Sequence, residues 1–124
     1  FAQELAGLPG DYVLPDGTLI LCVVDGVSAG CIAGRKWQAK ACEMKRLYVR
    51  PEARGLRLGR RLVERLIAEA RGIGYRRICL DTLPTMDEAI GLYAKLGFEP
   101  IAPYYVTPIE GTRFMAKRLR PLTP

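Results

Sequence analysis

Between residues 18 and 49 apolar and β-branched residues fall into three short runs broken by turn residues, the pattern of β-strands. Thr18–Val24 and residues 27–35 flank Asp25-Gly26, a pair that tolerates the positive φ of a two-residue hairpin turn, so these runs are expected to pair antiparallel. A polar turn at residues 35–40 leads to a third strand, Ala41–Val49, which Pro51 stops. The period then changes. Leu58, Leu62, Val63, Leu66, Ile67 and Ala70 recur at helical spacing, with Arg60, Arg61, Glu64, Arg65 and Glu69 on the other side and Gly72 and Gly74 at the end. Residues 76–81 read as a short strand. Thr85-Met86-Asp87-Glu88 has the form of a capping box that opens a second helix through Leu96, closed by Gly97. Residues 98–101 and 112–119 supply two more strands, separated by a Pro- and Tyr-rich loop. The order β-β-β-α-β-α-β-β predicts an α/β domain, a mixed sheet with helices packed on it.

Composition narrows the class. The 124 residues, 49% of them hydrophobic, suffice for one domain with a modest core, and there is no internal repeat or linker. The longest apolar runs, such as residues 19–24, are far shorter than the roughly 20 residues that cross a bilayer, so no membrane partner is expected. Cys22, Cys31, Cys42 and Cys79 stand singly in strand-like runs, with no C-x-x-C pair and no histidine to complete a zinc site. They read as reduced core residues of a cytoplasmic protein with no metal.

The net charge of +6 is concentrated: Lys45, Arg46, Arg50, Arg54, Arg57, Arg60, Arg61, Arg65, Arg71, Arg76 and Arg77 crowd one third of the chain. Within this stretch Arg54-Gly55-Leu56-Arg57-Leu58-Gly59-Arg60-Arg61 joins the third strand to the first helix. A Gly-punctuated loop that opens a helix aims backbone N–H groups and the positive end of the helix dipole at one spot, where a pyrophosphate would fit.

Three blocks carry a resemblance. Cys42-Glu43-Met44-Lys45-Arg46-Leu47-Tyr48-Val49-Arg50-Pro51, then Arg54-x-x-x-x-Gly59-Arg60-Arg61-Leu62, then Ala89-Ile90-x-Leu92-Tyr93-x-Lys95-Leu96-Gly97-Phe98-Glu99 resemble, in order, the GNAT family of acyl-CoA-dependent N-acetyltransferases. The resemblance runs from about Leu14 to Leu119. It implies a mostly antiparallel sheet with helices on both faces, in which the strand Ala41–Val49 is bulged and splays from the strand at residues 76–81. It also implies acetyl-CoA as co-substrate and a primary amine, of a small molecule or of a protein or peptide, as acceptor. The backbone of Leu47 and Val49 would pair with the pantetheine arm, and N–H groups from Arg54, Gly55, Leu56, Arg57, Leu58, Gly59 and Arg60 would hold the pyrophosphate. Tyr93 would be the general acid at the CoA sulfur, Glu43 the general base, and the Leu47 N–H the oxyanion donor. With no histidine to activate a cysteine, transfer is expected to be direct.

The chain departs from the family at points. Arg57 stands where the motif has an inner Gly, and Met86 where many relatives have a cofactor-contacting Asn. The family's opening strand and helix precede the segment where this chain starts, so residues 1–124 are expected to form one domain lacking those elements. Alternative readings of the residues are a cross-strand ion pair for Glu43, a core aromatic for Tyr93 and a turn or helix partner for Asp81. Trp37 and Tyr104-Tyr105 could border an acceptor pocket, cover the sheet or form a dimer contact, and residues 101–109 would suit a homodimer. The second functional reading is a non-catalytic CoA-binding module of the same fold. Nucleic-acid binding fits the Arg cluster alone, but no aromatic residues interleave with it.

Overall fold

The computed structural model describes residues 17–54 and 57–121. Strands β1 (Thr18–Val24), β2 (Val27–Gln38) and β3 (Ala41–Val49) form an antiparallel meander. A 3₁₀ turn at Pro51–Ala53 leads to helix α1 (Leu58–Ile73), strand β4 (Arg77–Thr82), helix α2 (Asp87–Lys95) and strands β5 (Glu99–Pro100) and β6 (Arg113–Arg118). The six-stranded sheet has the order β1-β2-β3-β4-β6-β5, and only β3 and β4 run parallel.

Asp25 and Gly26 take φ of 51° and 80°, the two positive values that a tight hairpin with native twist requires. β2 is longer than its hydrophobic pattern suggests and runs through the polar stretch to Gln38, leaving only Ala39-Lys40 as the turn. Trp37 is the extra residue of a bulge there, since Lys36 faces Cys42 and Gln38 faces Ala41. The capping box at Thr85 does not form. Met86 donates its N–H to the Leu83 carbonyl and becomes the N-cap without a side-chain bond, so the chain enters α2 one residue later. Asp87 and Glu88 then sit in the first turn, where their charge complements the helix dipole. The strand expected at residues 98–101 shrinks to two residues because Phe98 belongs to the end of α2. Its N–H donates to the Tyr93 carbonyl and that of Gly97, at φ 96°, to the Ala94 carbonyl, with Phe98 packed on Tyr93 at 5.7 Å between ring centroids.

One face of the sheet carries the main core. Ile32, Cys42, Met44, Ile78, Leu80 and Met115 pack against Leu62, Val63, Leu66 and Ala70 of α1 and Tyr93 of α2. Both described helices therefore cover the same face, and helices on the other face are not seen among the described residues. That second face instead meets Tyr104 from the segment between β5 and β6, packed against Trp37 at 4.7 Å and Phe114 at 5.1 Å. No described helix is long and apolar enough to cross a membrane.

Candidate active site

The parallel pair β3–β4 is short. Ala41, Cys42 and Glu43 pair with Arg77, Ile78 and Cys79, and beyond them the strands part. The cause lies in β3. Cys31 faces Tyr48 and Ala33 faces Lys45, so two steps along β2 are met by three along β3. Arg46 takes φ 62° to accommodate the extra residue, and the Cys31 thiol donates to its carbonyl at 3.2 Å. The bulge turns the rest of β3 away from β4 and leaves a cleft of about 570 Å³. Met44, Lys45, Arg46, Leu47 and Tyr48 line one wall; Leu80, Asp81, Thr82 and Tyr93 are among those lining the other.

Beyond Glu43 the edge of β3 has no strand partner on the β4 side. The Arg50 N–H donates to the Ala29 carbonyl at 2.7 Å, so by strand alternation the polar groups of Val49 point the other way, toward the cleft side. The Arg54 Nε there bonds the Val49 carbonyl at 3.1 Å. After the 3₁₀ turn α1 starts with Arg57 as N-cap, and the first helical bond runs from the Arg61 N–H to the Arg57 carbonyl. The N–H groups of Leu58, Gly59 and Arg60 are left at the helix mouth, with no side chain capping them. Arg57 adopts the left-handed conformation, φ 58° and ψ 27°, that the motif's usual Gly would take without strain. Gly55 and Leu56, the remaining residues expected to hold a cofactor, lie outside the described residues.

Tyr93 lines the cleft and is only 6% exposed. Burial and then the Asp81 carboxylate push its hydroxyl up to about 12, so it holds its proton at neutral pH. The end of α2 fixes its backbone, since its carbonyl accepts the Phe98 N–H.

Glu43 is placed differently from the expectation of a cleft base. It is 4% exposed, faces away from the helices and is absent from the cleft lining. Its Oε1 accepts from both Nε and Nη2 of Arg35, at 3.2 and 3.1 Å, directly across the β2–β3 ladder. Its Oε2 accepts from the Tyr104 hydroxyl at 2.7 Å and lies 3.4 Å from the Lys45 ammonium. Three hydrogen bonds and the Lys45 ammonium thus engage both carboxylate oxygens, leaving little acceptor capacity. Lys45 then bridges to Asp81, with Nζ 3.2 Å from Oδ1, while the Tyr105 hydroxyl donates to Oδ2. Asp81 stands in the cleft wall, 20% exposed, with only two donors on its two oxygens. Burial and the bond to Glu43 drive the Tyr104 hydroxyl far above its ordinary value, so it stays a donor.

The sequence profile of the acetyltransferase (GNAT) family matches residues 3–98, more than half of the chain. The chain belongs to the GNAT family. It is an acetyl-CoA-dependent N-acetyltransferase. An uncharacterised N-acetyltransferase of Schizosaccharomyces pombe is 41% identical over 115 residues, which span 91% of this chain and 71% of that protein. An IAA acetyltransferase of Azospirillum brasilense is 37% identical over 109 residues, spanning 85% and 70%. An acetyltransferase crystal structure from Streptococcus agalactiae superposes with a TM-score of 0.83 at 26% identity, covering 95% of this chain and 76% of that one. A GNAT acetyltransferase of Elizabethkingia anophelis, solved with acetyl-CoA bound, shares the fold at 21% identity and a TM-score of 0.74, covering 94% and 83%.

Sequence reasoning singled out Tyr93, the β3 edge and the loop into α1. It passed over Lys45 and set Asp81 aside, because the contact joining them spans 36 residues and exists only through the sheet register.

Proposed function

We propose that acetyl-CoA lies along the open edge of β3, with the backbone of Leu47 and Val49 against its pantetheine arm. Its pyrophosphate rests on the N–H groups of Leu58, Gly59 and Arg60 at the start of α1, because the Arg54 N–H, expected to share that role, donates instead to the Pro51 carbonyl at 3.2 Å. The observation that carries this reading is the three-pair parallel contact of β3 with β4, which opens onto a cleft walled by Tyr93 and Asp81. When bound, the cofactor supplies a thioester carbonyl to an amine nitrogen. The C–N bond forms as the C–S bond breaks. The Leu47 N–H faces the developing oxyanion, and Tyr93 gives its proton to the departing thiolate.

The amine must first lose a proton. Glu43 was the expected acceptor, but its lone pairs are already engaged, and we assign that role to Asp81, which faces the cleft with acceptor capacity to spare. Glu43 then acts as a positioning residue, anchoring the Lys45 ammonium that Asp81 shares. The acceptor is a primary amine carried by a small molecule or a peptide. Four free cysteines, three of them buried, support a reducing compartment such as the cytoplasm. Exposed Val106 and Ile109 support a homodimer contact in the segment before β6.

A thiol-release assay across a panel of amines tests the reading. Asp81→Asn and Tyr93→Phe are each expected to lower kcat about 10²- to 10⁴-fold with the acetyl-CoA KM nearly unchanged. Asp81→Asn within about threefold of wild type, together with a large kcat loss in a folded Glu43→Gln, would return the base role to Glu43.

A further inference from the structure

Away from the cleft, where β3 and β4 begin and β6 ends, the structure contains a second recess. It is about 450 Å³ in volume and is lined by Gln38, Lys40, Ala41, Arg76, Arg77, Arg118 and Leu119. Four of these side chains are cationic and none is acidic. Asp81, in the cleft wall, is four residues further along β4 from Arg77, roughly 13 Å at the rise of a strand.

Folding alone does not account for this grouping. Arg77 and Arg118 are direct partners in the antiparallel β4–β6 ladder, an arrangement that puts like charges on one face about 5 Å apart at Cβ and weakens the ladder. Some cations elsewhere are matched with carboxylates, as in Arg60–Glu64, Arg65–Glu69 and Arg35–Glu43. Around the recess no described carboxylate comes within salt-bridge distance of Lys40, Arg76, Arg77 or Arg118. The group is also held in place. The Lys40 carbonyl accepts the N–H groups of Arg76 and Arg77 at 2.8 and 3.1 Å, and the Leu119 N–H donates to the Arg76 carbonyl at 2.9 Å. The Arg77 guanidinium rests 5.6 Å from the centre of the Trp37 ring.

We infer that this recess is a second ligand site, separate from the acetyl-CoA cleft, that binds a compact polyanion bearing phosphate groups. Guanidinium forks match phosphate oxygens in pairs, and an anion between Arg77 and Arg118 relieves their mutual repulsion. The recess draws its cations from the β2–β3 turn, β4 and β6 around one hollow, a shape suited to a small molecule rather than to the extended charge track of a nucleic acid.

Inorganic tripolyphosphate is the probe, titrated calorimetrically into the full chain in saturating acetyl-CoA, so that the pyrophosphate loop is already filled. One equivalent is expected to bind. Arg118→Glu should weaken it at least tenfold, whereas Arg65→Glu, the same charge change on the outer side of α1, should leave it within twofold. Arg118→Glu also sets an acid opposite Arg77, so its melting temperature without probe should equal or exceed that of wild type, which separates loss of binding from loss of fold. Absence of binding to wild type, or equal weakening by Arg65→Glu and Arg118→Glu, would overturn the inference. Preference for an oligonucleotide over tripolyphosphate, with affinity falling steeply in salt, would overturn it too.

Discussion

Gly30 is the position where the fold and the cleft meet most closely, and Gly30→Ala tests that connection. A Cβ there would lie 2.5 Å from the Tyr48 carbonyl oxygen and 3.3 Å from both the Val49 Cα and the Leu62 Cδ1. Ordinary contact begins near 3.4 Å, so the backbone of β3 must retreat by about 0.9 Å. It is not free to do so, because the Arg50 N–H ties the next residue to Ala29 at 2.7 Å. Overpacking against backbone belongs at the upper end of the usual 1–3 kcal/mol, and the smaller unfolded-state entropy of Ala returns less than 1, leaving a net cost of about 2 kcal/mol. The displaced segment is the strand edge proposed to hold the pantetheine, so kcat/KM for acetyl-CoA should fall about tenfold or more. Urea denaturation and steady-state kinetics read both. Gly34→Ala is the comparison: its Cβ meets only the rotatable Leu66 side chain, at 3.0 Å from Cδ1, and it should cost under about 1 kcal/mol with activity intact. Gly30→Ala within about 0.5 kcal/mol of wild type, or destabilised with unchanged kinetics, would refute the reasoning.

Three further outcomes are expected. Arg57→Gly removes a left-handed non-Gly residue at φ 58° and should raise stability by about 1 kcal/mol in urea; a loss would show that Arg57 is not strained. Tyr104→Phe takes a donor at 2.7 Å from the buried Glu43 carboxylate and should cost about 1.5–3 kcal/mol in urea denaturation; a change under about 0.5 kcal/mol would contradict this. Burial pushes the Cys42 thiol from 9.0 up to about 12 and that of Cys79 up to about 11. The unfolded chain therefore binds fewer protons than the folded one once pH passes about 9. Stability should be level below that pH and decline above it, by up to about 1.4 kcal/mol per pH unit for each thiol. An unchanged urea midpoint through about pH 10.5 would contradict this.

Local chemistry made much of the fold readable. Asp25-Gly26 specified its hairpin and Gly74 and Gly97 their helix ends, because each needs only positive φ at one or two adjacent residues. The candidate site was picked out where backbone carries it, in β3 and the start of α1. The polar network was not. Tyr104 reaches Glu43 across 61 residues, and its loop position gives no hint of which face of the sheet it covers. Glu43 was legible as a charged residue in a strand, but whether it faces a cleft or a cluster of donors depends on Arg35 in the neighbouring strand and on Tyr104. Thr85 misled because a capping box describes sequence spacing, whereas the turn from Leu83 to Met86 decides where the helix begins.

The bulge at Arg46 works like a shift of reading frame. Cys42 and Met44 point toward the helices before it, Leu47 and Val49 after it, so the even-numbered phase of the strand becomes odd-numbered halfway along. Substituting any of these side chains leaves that phase change in place. Removing one residue does not: a chain lacking Arg46 would put the shortened strand back in a single phase, free to continue its pairing along β4 and close the gap between them. The proposed site thus depends on a count of residues in one strand, and a single in-frame deletion of Arg46 is expected to keep the fold and abolish acetyl transfer.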